Sequence, residues 1–208
     1  MPHESPPRGR PPGSTGKALL EVAREVFLEN GFSGATMDQV ATRARISKAS
    51  LYREHPSKTA LYSAVVSDWA ESGRDSMRPA LDRLVTGTDT QADLLELGTT
   101  IRRGVLSPPV LAMRRLVTSE ARSHPDVARS YFRDSWDTNI ENLATALAQL
   151  NDQGRLTLDD SRRAADEFTW LVVGAPLNEA LLTGAAPERA PTVASAVQLF
   201  LSKYAPVG

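Results

Sequence analysis

Lys48, Ala49, Ser50 and Arg53 lie within six residues of one another, flanked by the hydroxyls of Thr36, Ser47, Tyr52 and Ser57 and the cations of Arg45 and Lys58. The stretch reads as two short helices joined by a tight turn, followed by the start of a third. On a wheel with Leu51 facing the core, Ala49 and Arg53 point directly away, with Ser50 and Tyr52 on the flanks and Lys48 in the first turn. Laid in a DNA major groove, such a helix offers Lys48 and Arg53 to the two acceptors of guanine, and Ala49 to a thymine methyl. Thr36, Ser47 and Ser57 head helices, where free amides and the dipole favour phosphate. Tyr52 adds a hydroxyl, and Lys58 and Arg45 add charge. These contacts would position the chain without reading sequence. Two short amphipathic helices with a turn are also a common packing unit, and these residue types alone leave both readings open.

The elements that would position these residues follow from local signals. Leu19, Val22, Ala23, Val26 and Phe27 recur at helical spacing, and Gly31 supplies a left-handed stop with Phe32 folding back on the last turn. Thr36 with Gln39 three residues on forms a capping box for a second helix ending near Ala44. Ser47 caps the third helix, with Ile46 and Leu51 spaced for a hydrophobic staple, and Ser57 caps the fourth. Helices are expected at about 58–84, 90–106, 109–122, 125–151, 160–182 and 191–204, with Pro176 kinking the fifth of these. No alternating run bounded by turn residues suggests a strand.

The segment Thr36–Lys58 resembles the DNA-binding helix-turn-helix of TetR/AcrR-type transcriptional regulators. The residues that carry it are Thr36, Val40, Ala41, Ala44, Ile46, Ser47, Leu51, Tyr52 and Lys58, all at family spacing. Residues 114–182, above all RRLVTSEARSHPDVARSYF, resemble the AefR-like branch. The sequence departs from the pattern at Arg45, where the turn usually carries Gly, and at Glu54-His55, which replace an aromatic pair. Glu54 is placed to pair with Lys58, and His55 to be a partly buried structural residue.

The resemblance implies an all-α chain: a disordered arm over 1–16, a helix-turn-helix DNA-binding domain over 17–62, and a regulatory, ligand-binding and dimerisation domain over 63–208. It implies a ligand-responsive regulator, most simply a repressor released from double-stranded operator DNA by a small hydrophobic effector. The alternatives are an all-helical interaction module, or a regulator without a small-molecule inducer. The family's last two long helices pair with their twins in a homodimer; here Phe168, Leu171, Val172, Leu177, Leu181, Val193, Val197 and Leu201 would supply the apolar surface, unless they bury in their own domain. Trp69, Met113, Tyr131, Phe132, Trp136 and Trp170 are the candidate lining of an effector pocket, since small-ligand pockets are mostly apolar with a few polar anchors. Arg8-Gly9-Arg10-Pro11 looks like the core of an AT-hook that would lie in a narrow minor groove; a plain disordered tail is the alternative.

Composition agrees with this reading. Residues 1–60 hold nine Lys and Arg against six Asp and Glu, and residues 61–208 fifteen against nineteen, so a basic head precedes an acidic body. The absence of cysteine excludes disulfides, thiolate metal sites and thiol redox sensing. No apolar run of about 18 residues suggests a membrane span, and no apolar h-region suggests a secretory signal, so a cytoplasmic protein is expected. His3, His55 and His124 are scattered, and no metal-binding histidine pair, phosphate loop or nucleophile elbow is present. Neither catalysis nor a cofactor is expected.

Overall fold

A computed structural model describes residues 14–75, 77–185, 187 and 191–206. The Arg8-Gly9-Arg10-Pro11 segment lies outside these residues. The described residues are helical throughout, in eleven α-helices and one π-helical turn: α1 Lys17–Gly34, α2 Met37–Ala44, α3 Lys48–Glu54, α4 Lys58–Asp75, α5 Arg78–Thr86, α6 Thr90–Val105, α7 Pro108–Glu120, α8 Pro125–Tyr131, the π turn Phe132–Asp137, α9 Thr138–Asp152, α10 Ser161–Thr183 and α11 Val193–Tyr204. No described helix is long and apolar enough to cross a membrane. Two compact units divide between Asp68 and Trp69.

In the first unit, Leu19, Ala23, Val26 and Phe27 of α1 are buried with Val40, Ala41, Ala44, Leu51, Leu61, Tyr62, Val65 and Val66. Gly31 takes φ 68°, ψ 174° and breaks the helical path of α1, as its position predicts. Phe32 then folds back, its ring 6.0 Å from Phe27 and 5.1 Å from Tyr62.

The core of the second unit is built from α5, α6, α9, α10 and α11, with Leu94, Leu97, Leu143, Leu147, Phe168, Val172 and Phe200 buried within it. Gly98 lets α6 approach closely: a Cβ there would stand 2.7 Å from Val193 Cγ1 and 3.3 Å from Val172 Cγ2. Gly87 is required for a different reason, since a Cβ would collide with the Asp93 carboxylate at 2.1 Å. That carboxylate is buried and pairs with Arg155 at 3.2 Å. Arg155 also donates to the carbonyls of Leu84 and Val85 at the end of α5 and to Thr90 Oγ1. On the rim, Arg162 of α10 reaches Asp137 at 2.5 Å, Asp166 at 3.4 Å and Glu141.

Two helix boundaries are corrected. The helix over 58–84 is two helices, because Pro79 enters at the second position of α5, where its missing N–H ends one ladder and begins another. The helix over 125–151 is interrupted by the π turn; Thr138 Oγ1 donates to Arg133 O five residues back, at 2.8 Å. Of the apolar residues of α10 and α11, expected either on an outer surface or in their own domain, Phe168, Val172, Leu177 and Val197 are buried in their own unit, and Leu171, Leu181, Val193 and Leu201 are half-buried. The large apolar side chains that α10 and α11 expose are Trp170, Leu182 and Leu199, at 53%, 78% and 58%.

Pro176 lies inside α10, which is helical on both sides of it. Its ring nitrogen carries no hydrogen, so the carbonyl of Val172, one turn earlier, has no helical donor. Arg102 of α6 supplies the donors: Nε at 2.8 Å and Nη2 at 2.6 Å from Val172 O, while Nη1 reaches Pro191 O at 2.7 Å. Burial lowers the Arg102 pKa, but an arginine stays charged regardless. Removing Arg102 as Arg102→Met should therefore destabilise the protein by about 1–3 kcal/mol, the cost of a buried carbonyl left unpaired. In a Pro176→Ala background, where residue 176 regains its N–H, the same substitution should cost clearly less. Urea unfolding of the four proteins measures the difference; equal costs in both backgrounds would show that Arg102 does not answer Pro176.

Candidate nucleic-acid interface and ligand cavity

The recognition unit is built by local chemistry. Thr36 caps α2 in a reciprocal box: Gln39 N–H donates to Thr36 Oγ1 at 3.2 Å, and Thr36 N–H to Gln39 Oε1 at 2.8 Å. The turn after α2 is a Schellman arrangement, with Arg45 N–H on Thr42 O at 3.1 Å and Ile46 N–H on Ala41 O at 3.0 Å. Arg45 holds the left-handed position, φ 58° and ψ 33°, where its Cβ is strained and glycine would not be. Its guanidinium is thereby thrown outward and exposed. Ser47 caps α3, accepting from Ser50 N–H at 3.0 Å and donating to Ser50 Oγ at 2.9 Å. Ser57 accepts from Ala60 N–H at 3.1 Å at the head of α4.

The wheel expected for α3 holds. Leu51 is fully buried, and Lys48, Ala49, Tyr52 and Arg53 are exposed, with Ser50 half-buried. Lys48 is not idle: its ammonium pairs with Asp38 of α2 at 2.5 Å, both ends exposed. Arg43 likewise joins α2 to α1 through Glu29 at 2.6 Å and Glu25 at 3.1 Å. The hydrogen bond from Arg43 holds the Glu29 carboxyl below its usual range.

Lys58, expected at phosphate, is placed differently. Its ammonium donates to the carbonyls of Phe32 at 2.7 Å, Ala35 at 3.0 Å and Ser33 at 3.3 Å, and lies 4.5 Å from the Phe32 ring centre. It satisfies carbonyls at the end of α1, beyond the break at Gly31. The expected Glu54–Lys58 pair is absent among the described residues. Glu54 ends α3 and Lys58 begins α4, with His55 extended between them, so the spacing of one continuous helix does not apply. His55 is half-buried, as expected.

Of the six candidate pocket residues, the second unit brings three together. Trp69, Tyr131 and Trp136 line one cavity of about 260 Å³ with Met77, Ile101, Val105, Val110, Arg114 and Asn139. Met113 points away, fully buried in the core. Phe132 is 57% exposed, because the π turn rotates it outward. Trp170 stands behind the wall, its ring centre 5.3 Å from that of Trp136. Arg114 lies over the Trp136 ring, 5.0 Å from its centre. Arg114 Nε and Asn139 Oδ1 are buried with no hydrogen-bond partner among the described residues. Burial pushes the Tyr131 phenol up, against the pull of Arg114 and of a bond with Ser135.

Arg114 and Asn139 escaped the reading of the sequence. A signal was present: Arg114 falls four residues after Val110 and three before Val117, a cation on an apolar stripe.

Residues 19–65 match the model of the tetR family of bacterial regulatory proteins, and residues 92–206 match the C-terminal domain of AefR-like transcriptional repressors. The chain is 31% identical over 176 residues to the HTH-type transcriptional regulator Mb1581 of Mycobacterium bovis, covering 84% of this chain and 78% of that one. It is 33% identical over 111 residues to YdeS of Bacillus subtilis; that match spans 53% of this chain and about half, 52%, of YdeS. The activator FasR of Mycolicibacterium smegmatis is 41% identical over 63 residues, 30% of this chain and 29% of FasR. A TetR-family regulator from Mesorhizobium loti superposes with a TM-score of 0.85 at 22% identity, over 90% of this chain and 95% of that one. The flavonoid-responsive regulator FrrA superposes with a TM-score of 0.76 at 25% identity, over 91% and 96%.

The left-handed Arg45 gives a direct test. Arg45→Gly should raise stability by about 0.5–1 kcal/mol by relieving the Cβ strain, less the added entropy of the unfolded chain. The urea midpoint is the measurement; a loss of stability would show that the arginine side chain contributes more than its backbone costs.

Proposed function

The chain belongs to the TetR family of transcriptional regulators, and we propose that it is a homodimeric repressor released from operator DNA by a small hydrophobic effector. The observation that carries the effector is a cavity in the second unit, lined by Trp69, Tyr131 and Trp136 and holding two buried polar atoms without partners among the described residues. Packed cores leave few such spaces and few such orphaned groups. Repression is favoured by the match of residues 92–206 to a repressor domain; the match to FasR, an activator, is confined to 63 residues. That FrrA answers to flavonoids is in keeping with a flat, apolar effector.

On this reading, Lys48, Ala49, Ser50 and Arg53 face base edges, while Thr36, Arg45, Ser47, Tyr52 and Ser57 hold phosphate. Lys58 acts indirectly, by fixing the end of α1 against the head of α4. The dimer forms through Trp170, Leu182 and Leu199 on the exposed faces of α10 and α11, where three large apolar side chains otherwise meet water. Two recognition helices then address successive major grooves, about 34–36 Å apart or a multiple of it. Effector binding favours a conformation with the wrong spacing, and DNA affinity falls by the coupling free energy.

Selection from random DNA should return an inverted repeat. Lys48→Ala and Arg53→Ala should each cost about 1–3 kcal/mol on the selected site and relax preference at one position per half-site; an unchanged selected sequence would remove both residues from base reading. Sedimentation at micromolar concentration should give twice the chain's mass, and Leu199→Glu together with Trp170→Glu should give the monomer. If the doubly substituted protein still sediments as a dimer, the interface lies elsewhere.

A further inference from the structure

We infer that the cavity of the second unit takes a small aromatic carboxylate, bound by charge at Arg114. The inference rests on the effector reading above and narrows it to one ligand chemistry.

The cavity has mostly apolar walls, the neutral polar side chains of Thr100, Ser107, Ser135 and Asn139, and one cation, Arg114. Trp69, Tyr131 and Trp136 present ring surface, Met77, Ile101, Val105 and Val110 aliphatic surface, and none of the described residues lining it is Asp or Glu. Arg114 is therefore a permanent charge facing a space that holds no anion from the described chain. Its Nε is buried and has no acceptor among the described residues. The aromatic face of Trp136, 5.0 Å away, is the favourable contact it does make. A cation–π contact stabilises the charge but leaves the Nε–H unsatisfied. A carboxylate satisfies it, in a charge-assisted and, for guanidinium, commonly bidentate geometry. No neutral apolar molecule does so.

Asn139 supplies the second point. Its Oδ1 is buried without a donor among the described residues, on the same cavity wall. It accepts from a hydroxyl or ring N–H carried by the same ligand, which fixes the ring in one orientation. Size sets the rest. A cavity of about 150 Å³ holds benzene, so the 260 Å³ here holds one ring or two fused rings with their substituents. The ligand is then flat, singly negative and small, with one hydrogen-bond donor on the ring.

Four compounds test this with the full-length protein: 2-hydroxybenzoate and indole-3-acetate, and their neutral amides. Binding is read by calorimetry and by tryptophan fluorescence. At least one acid should bind at least tenfold more tightly than its amide. Arg114→Gln should erase that preference, and Arg114→Lys should keep part of it, with thermal unfolding unchanged in at least one of the two. Equal binding of acid and amide overturns the inference, as does an acid preference that survives in both variants, or no binding by either acid. A neutral flavanone separates this failure from failure of the effector reading. If the flavanone binds, is lost in Trp136→Ala and weakens operator binding while the acids do not bind, the effector site stands and the carboxylate falls. If the acids bind through Arg114 but equally to free and operator-bound protein, the ligand assignment stands and the effector role falls.

Discussion

The second unit turns on one carbonyl. Pro176 removes the donor that Val172 O would have had, deep in the longest helix of the structure, and Arg102 crosses from α6 to replace it. A buried carbonyl without a donor is among the costlier defects a core can hold. Its repair fixes more than itself. The third guanidinium nitrogen takes Pro191 O, just ahead of α11, so one side chain sets α6, α10 and the approach to α11 together. Gly98, one turn earlier on α6, removes the side chain that would have kept these helices apart. The residues on either side of Arg102 then become cavity wall: Thr100, Ile101, Gly104 and Val105.

The first unit is held by weaker and more local means. Its helix ends are satisfied by their own neighbours, at Thr36 with Gln39 and at Ser47 with Ser50. Lys58 lends donors to carbonyls at the end of α1, as Arg102 does to a carbonyl in the interior of α10. The ion pairs of Arg43 are exposed, so each contributes little alone. Precision comes instead from short turns and fixed caps, which leave α3 few ways to face other than with Leu51 inward.

Much of this could be read without coordinates, because it is local. Capping residues and their partners are three positions apart, and Leu51 declares the inner face of α3 by spacing alone. The left-handed turn at Arg45 follows from its place after α2, whatever residue occupies it. What could not be read depends on chain partners far away. Met113 and Phe132 have the right chemistry for a pocket wall, but a π turn and a packed core send them elsewhere. Arg114 looked like one more charge on a helix because nothing in its neighbours says that its Nε is buried. For the apolar stripe of α10 and α11, spacing alone leaves open an outer surface or burial in the same unit; Phe168, Val172, Leu177 and Val197 are internal, while Trp170, Leu182 and Leu199 are exposed. Periodicity finds a face; it does not say which of two faces meets the core.

The ion pair between Lys48 and Asp38 has a consequence for how such a protein would search a genome. On the proposed reading, Lys48 would keep its own exposed carboxylate on arbitrary sequence and add little to the head's attraction for the duplex. Only where a guanine presents two acceptors would the lysine gain by leaving Asp38. The acid would then act as a resident competitor that shortens stays at wrong addresses, and the speed of finding the right one would depend on a residue that never touches it.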